Sequence, residues 1–201
     1  MSVSLTPSID KAISLINRLH EGQYRKGGDK TPYASHPVAV AWIVNQYTND
    51  PKVIVASLLH DVPEDVKGYT LEDIEREFGP HVAKLVKGVT EDKDPNIKTD
   101  KKATWGQRKE KKLASLKNAC EEVLLICAAD NIHNLRSCVV EFKETGRKPW
   151  ENFNASVELQ VWYRQEVLGI MKERIPTHPI VNELDVALKS FLIASGQANR
   201  F

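Results

Sequence analysis

VIVASLLHDVPED, residues 53–65, is the stretch on which the fold turns. Val53 to Leu59 is apolar apart from Ser57, and it runs directly into His60-Asp61-Val62-Pro63-Glu64-Asp65. The first part reads as a buried helix. Pro63 lacks an N–H and disfavours helical geometry at Val62, so the helix is expected to stop or kink at the His60-Asp61 pair. Glu64 and Asp65 would then turn into a cleft. Three carboxylates beside one imidazole repel each other unless a cation sits among them. The plain alternative is a solvated helix end.

Helical periodicity extends outward from this stretch in both directions. Ala12, Leu15, Ile16 and Leu19 repeat at i, i+3, i+4, i+7 after Pro7 and Ser8. Val38, Ala41, Trp42 and Val44 follow Pro37, a residue suited to a first helical turn. Thr70 precedes Leu71-Glu72-Asp73-Ile74 as an N-cap, with Asp73 completing the cap pattern. A helix from Pro80 to Val89 presents Val82, Leu85, Val86 and Val89. Residues 90–104 are polar and aperiodic, and read as a loop. Helices are expected again over about 104–118, 121–142, 150–174 and 180–194. Val123 to Ile126 alone could be a buried strand, but its continuation at i+3 and i+4 spacing decides for helix. No repeat interrupts the pattern. The expected class is all-α, one helical bundle of about eight to ten helices. Residues 1–175 would form the domain, and 176–201 a helical extension packed on it.

Bulk composition restricts function. The chain has 201 residues, 41% hydrophobic, which suits one compact domain. Its formal net charge of +1 is unlike that of a nucleic-acid binder. Cys120, Cys127 and Cys138 lack CxxC spacing, and the latter two sit in apolar surroundings, which implies buried free thiols in a reducing compartment. Met1 to Ile9 lacks signal-peptide character, and runs such as Val123 to Ala129 are too short to span a bilayer. A cytoplasmic protein is expected, with no membrane partner. Oligomeric state is not readable.

Three further features join the His60-Asp61 pair: Arg25-Lys26-Gly27-Gly28, His36-Pro37, and Asp130-Asn131-Ile132-His133-Asn134. Asp130 follows the most apolar run in the chain, where an unpaired carboxylate is costly and is usually paired or bound to metal. Pairing with Arg136 or a helix cap is the plain alternative. Asn134 shares its face at i+4. His133, at i+3, is either a ligand or a supporting or core residue; spacing does not choose. A lone histidine such as His36 is more often a cap or core residue, and only its company raises it. Two imidazoles and two carboxylates suit a first-row divalent ion, Mn²⁺ or Fe²⁺ above Ca²⁺ or tetrahedral zinc. Such an ion makes bound water nucleophilic near neutral pH, and carboxylates just beyond the ligands can take its proton. No Ser-His-Asp or Cys-His arrangement competes, and GxxxxGK[ST] is missing.

The ordered strings HEGQYRKGGDKTPYASHPVAVA, LLHDVPED, FGPHVAKLVKGVTED and AADNIHNLRS resemble the HD-domain superfamily. More narrowly, they resemble the hydrolase domain of the RelA/SpoT alarmone enzymes and their stand-alone small alarmone hydrolases. The resemblance implies that His36, His60, Asp61 and Asp130 bind one Mn²⁺. It implies that Glu64 and Asp65 are the catalytic acidic pair, that Arg25 and Lys26 contact a nucleotide substrate, and that Asn134 lies near ribose and metal. His133 is not a ligand in that family. The implied reaction removes the 3′-pyrophosphate of (p)ppGpp, giving GDP or GTP and pyrophosphate. Synthetase and regulatory domains are not expected in a chain of this length.

This chain departs from the pattern at Cys127, where the family commonly has lysine, and at Asn131, where it has a basic residue. Both changes remove positive charge near a polyphosphate site. An HD phosphohydrolase acting on (p)ppApp or NADPH is therefore the alternative. A non-catalytic alarmone-binding module is a third reading, but the six metal and acidic residues are all present. The segment from Lys98 to Lys117 holds eight Lys/Arg against Asp100 and Glu110. Most of these read as a solvated face, with Arg108 and Lys109 as the exceptions that would gather substrate phosphate.

Overall fold

The computed structural model describes residues 4–26, 30–91 and 102–200. Gly27 and Gly28 of the basic stretch, most of the 90–104 loop, and Lys98 and Lys101 lie outside the described residues. Among those described, the chain forms ten α-helices and no β-sheet. They are α1 (Pro7–Leu19), α2 (Ser35–Val44), α3 (Pro51–Leu59), α4 (Val62–Asp65), α5 (Leu71–Phe78), α6 (Pro80–Val89), α7 (Trp105–Leu116), α8 (Glu121–Thr145), α9 (Val157–Arg174) and α10 (Ile180–Ala194).

Local chemistry sets most of the boundaries. The Thr6 hydroxyl accepts the Ile9 amide at the start of α1, and the Asp50 carboxylate accepts that of Lys52 at the start of α3. Thr70 and Asp73 form a reciprocal capping box on α5. Helix α8 ends at Gly146, whose φ of 70° is left-handed backbone that favours glycine.

The core centres on α8, which packs against α10, α2, α6, α9 and α3. By length and composition α8 is apolar enough to cross a bilayer, which the sequence reading did not anticipate. Its apolar run Val123 to Ala129 is instead buried in the core shared by these helices. Helix α3 is buried along Val53 to Leu59, so His60 is delivered from the middle of the molecule. Helix α10 contributes Leu184, Leu188 and Phe191 to the same core.

Two expectations need correction. Pro63 does not keep Val62 out of helical geometry: Val62–Asp65 forms a single helical turn directly after the pair. Proline is tolerated in a first turn, where its missing N–H would have had no intrahelical partner. Second, the helix read as 150–174 is split. Pro149–Asn152 is a 3₁₀ turn, Phe153 is extended, and α9 restarts where the Ser156 hydroxyl accepts the Leu159 amide. On α2, Val38 and Trp42 face outward, while Ala41 and Val44 face the core.

Helices α6 and α8 meet closely at Gly88. A Cβ there would lie 2.6 Å from Val123 Cγ2, and valine is stiff at χ1. Gly88→Val is nearly neutral in helix propensity, so the cost is steric. The expected loss is about 1–3 kcal/mol, measured by urea unfolding; an unchanged midpoint would contradict the contact.

Candidate metal centre and cleft

Four elements converge on one point. His36 sits in the first turn of α2, whose entry is set by the Tyr33 carbonyl accepting the His36 amide at 2.9 Å. His60 and Asp61 link α3 to α4, and Asp130 lies midway along α8. His36 Nε2 is 3.1 Å from Asp130 Oδ1 and 3.4 Å from Asp61 Oδ2. His60 Nε2 is 3.2 Å from Asp61 Oδ2 and 3.9 Å from Asp130 Oδ1. Single donor atoms of His36, His60 and Asp130 all lie within 4.8 Å of one another. Both histidines are buried.

The donors fit a divalent cation. His60 Nε2 is buried and has no hydrogen-bond partner, while its Nδ1 is held 2.7 Å from the Ser57 carbonyl. A ring fixed at one nitrogen and unsatisfied at the other is the arrangement of a metal ligand backed by a carbonyl. Electrostatics agree. Burial pushes the His60 imidazole down, but the charge of the Asp61 carboxylate beside it holds it up at about 9. Burial pushes Asp61 up, and the His60 and His36 rings overcome this, keeping it well below the usual carboxylate range. In the absence of metal, a proton on the His60 ring supplies positive charge beside the Asp61 carboxylate.

Asp130 is not deeply buried as expected. About a third of its side chain faces the cleft, at 31% exposure. Nor does it pair with Arg136, which binds Glu183 of α10. The Asn134 amide donates to Asp130 Oδ1 at 2.6 Å, and Arg25 donates to Asn134 Oδ1 at 2.9 Å. Arg25 is anchored by the neighbouring Tyr24–Pro32 bridge and by its own amide donating to the Thr31 carbonyl. Lys26 lies over the Phe153 ring at 5.5 Å.

Glu64 and Asp65 line the cleft beside the cluster, together with Arg25, Lys26 and Asn134. Its volume is about 1260 Å³. Glu64 Oε1 accepts the Glu91 amide at 2.7 Å. Asp65 accepts from the Tyr33 hydroxyl at 3.2 Å, and the same hydroxyl donates to Asp61 at 2.6 Å. Tyr33 therefore bridges the cluster and the acidic turn. Its phenol stays neutral, since burial and the Asp61 and Asp65 carboxylates push its pKa up.

Arg108 and Lys109 reach the cleft wall, but both are engaged by Glu91. Burial pushes the Glu91 carboxyl up, and the Lys109 and Arg108 cations more than offset it, so the group lies below its usual range. Behind the cluster is a cavity of about 120 Å³, lined by Glu64, Lys109, Lys112, Cys127 and Tyr163 among others. Lys112 is buried there and donates to the Gly88 carbonyl at 3.1 Å. Burial lowers its pKa. An ammonium from α7 thus enters the cavity where Cys127 stands. The sequence reading assigned no role to Tyr33, Glu91, Lys112 or Phe153. Tyr33 and Glu91 fall inside two of the quoted strings, which was the available signal; Lys112 was one of the eight Lys/Arg from Lys98 to Lys117.

Residues 12–154 match the HD domain family model. Among characterised proteins, the chain is 39% identical over 137 residues to a GTP pyrophosphokinase of Streptomyces coelicolor, covering 68% of this chain and 15% of that protein. It is 41% identical over 118 residues to a guanosine-3′,5′-bis(diphosphate) 3′-pyrophosphohydrolase of Haemophilus influenzae, covering 59% of this chain and 17% of that protein. It thus spans about a sixth of the length of these relatives. Solved structures are similar as well, two of them along most of the chain. One is a metazoan ortholog of SpoT that hydrolyzes ppGpp, with TM-score 0.73 and 26% identity over 98% of this chain and 99% of that one. The other is a Listeria monocytogenes protein, with TM-score 0.64 and 30% identity over 80% and 97% of the two chains. The histidine and aspartate cluster, the all-helical bundle and the matched residues agree: this chain belongs to the HD domain family.

Proposed function

We propose that this protein is a metal-dependent (p)ppGpp 3′-pyrophosphohydrolase, releasing pyrophosphate and leaving GDP or GTP. The observation that carries the reading is the unsatisfied His60 Nε2 inside a cluster with His36, Asp61 and Asp130, at the wall of a cleft lined by Arg25, Lys26, Glu64, Asp65 and Asn134. The similarity to a ppGpp-hydrolyzing metazoan protein along 98% of the chain supports the substrate class.

In this reading His36, His60, Asp61 and Asp130 hold one divalent ion, with Mn²⁺ preferred for a mixed imidazole and carboxylate set. When bound, the ion supplies Lewis-acid charge and lowers the pKa of water. Glu64 and Asp65 orient the attacking water and accept its proton. Water replaces the ribose 3′ oxygen on phosphorus, and the proton balance is closed at the 3′ hydroxyl. Arg25 and Lys26 hold the nucleotide, and Asn134 sets the distance between Arg25 and Asp130. Arg108 and Lys109 meet substrate phosphate by exchanging Glu91 for it. The three free cysteines support a reducing, cytoplasmic setting.

A second reading, an HD phosphohydrolase for another nucleotide, is favoured by one observation. Cys127 and Asn131 are both buried, and the Asn131 amide is spent on the Cys127 carbonyl at 2.8 Å, so neither supplies a cation. Incubation with Mn²⁺ and separately with ppGpp, ppApp and NADPH discriminates. Pyrophosphate from ppGpp, abolished by chelation and restored by Mn²⁺, is expected. Turnover of ppApp or NADPH alone would favour the second reading, and no release from any of the three would refute both.

A further inference from the structure

An imidazole can ligate metal through one nitrogen only if that nitrogen offers a lone pair, so the proton of the neutral ring must sit on the other. For His60 the partner of the other nitrogen is a carbonyl, Ser57, which can only accept. His36 is different. Its Nε2 faces Asp61 and Asp130, and its Nδ1 lies 2.7 Å from His133 Nδ1. Two ring nitrogens at that separation share one proton, and the distance alone does not say which ring owns it.

Ser137 resolves the ownership. Its hydroxyl donates to the His133 carbonyl at 2.8 Å, so Oγ remains as an acceptor, 3.4 Å from His133 Nε2. His133 Nε2 then carries a proton, and in a neutral ring Nδ1 is left as a lone pair. The hydrogen bonds run in one direction: His36 Nδ1–H to His133 Nδ1, and His133 Nε2–H to Ser137 Oγ.

We infer that His133 is a positioning residue for the metal centre: it accepts the Nδ1 proton of His36 and thereby keeps His36 Nε2 available as a ligand. A neutral imidazole performs here the task more often given to a carboxylate or carbonyl. Of the readings that spacing leaves open for His133, this is the supporting one, not a ligand or a core histidine. The inference rests on the proposal that the cluster binds metal, and the test separates the two.

Mn²⁺ affinity is measured by calorimetry on the wild type, His60→Ala, His133→Ala and His133→Asn. Asparagine places an acceptor oxygen at the position of Nδ1. His133→Ala is expected to bind Mn²⁺ about 10–100-fold more weakly, and His133→Asn within about threefold of the wild type. Histidine ¹⁵N spectra of the Zn²⁺-loaded wild type are expected to show His133 neutral and protonated at Nε2. Wild-type affinity in His133→Ala, equal loss in the Ala and Asn variants, or a proton on His133 Nδ1 in the loaded protein would overturn the inference. Equally weak binding by wild type and His60→Ala would overturn the metal reading, and this one with it.

Discussion

Glu64→Ala is expected to keep Mn²⁺ binding while losing turnover by about 10²–10⁴-fold, whereas Asp61→Ala loses metal binding itself. Two residues three apart in sequence are thus given different tasks, and geometry is the reason. Asp61 Oδ2 lies within 3.4 Å of Nε2 on both histidines, so its loss removes a donor from the centre of the cluster. Glu64 is one helical turn further on, with Oε1 bound to the Glu91 amide, whereas Asp61 touches both histidines of the His36–His60–Asp130 group directly. Removing it leaves that group's donors in place and takes away a base. Calorimetry with Mn²⁺ and a pyrophosphate-release assay, run on both variants, provide the comparison. Equal metal loss in the two would mean that Glu64 belongs among the ligands.

Truncation of Phe191 to alanine is expected to cost about 3–5 kcal/mol of stability. Phe191 is fully buried on α10, edge-on to Trp150 at 5.6 Å and beneath the Arg164 guanidinium at 5.5 Å. Helix α10 packs along α8, which also carries Asp130, Asn134 and His133. We propose that residues 176–201 form one cooperative unit with the rest of the chain. Urea unfolding followed by far-UV circular dichroism tests this: a loss under about 1 kcal/mol, far below the usual cost of a buried aromatic truncation, would mean that α10 unfolds separately.

Both experiments probe features with different visibility in the sequence. The buried α3 entering His60-Asp61 was readable because apolar continuity and a polar stop are local. The helical course of Val123 to Ile126 was readable from spacing, and Asn134 was placed beside Asp130 by a single i+4 step. The break between Pro149 and Val157 was not: a proline start at Pro149 and a serine cap at Ser156 fit both one long helix and two pieces. The outward face of Trp42 was equally hidden, since tryptophan at helical spacing reads as core.

By itself, the sequence determined an all-helical chain and the residues able to meet a metal, because periodicity and donor type are properties of short segments. Tertiary structure alone decided what each donor's second atom touches. His133 sits 97 positions from His36, Tyr33 is 28 from Asp61, and Glu91 is 27 from Glu64. Those pairings depend on how α2, α4 and α8 pack, and a 2.7 Å contact between ring nitrogens is set by helix orientation that no local pattern encodes.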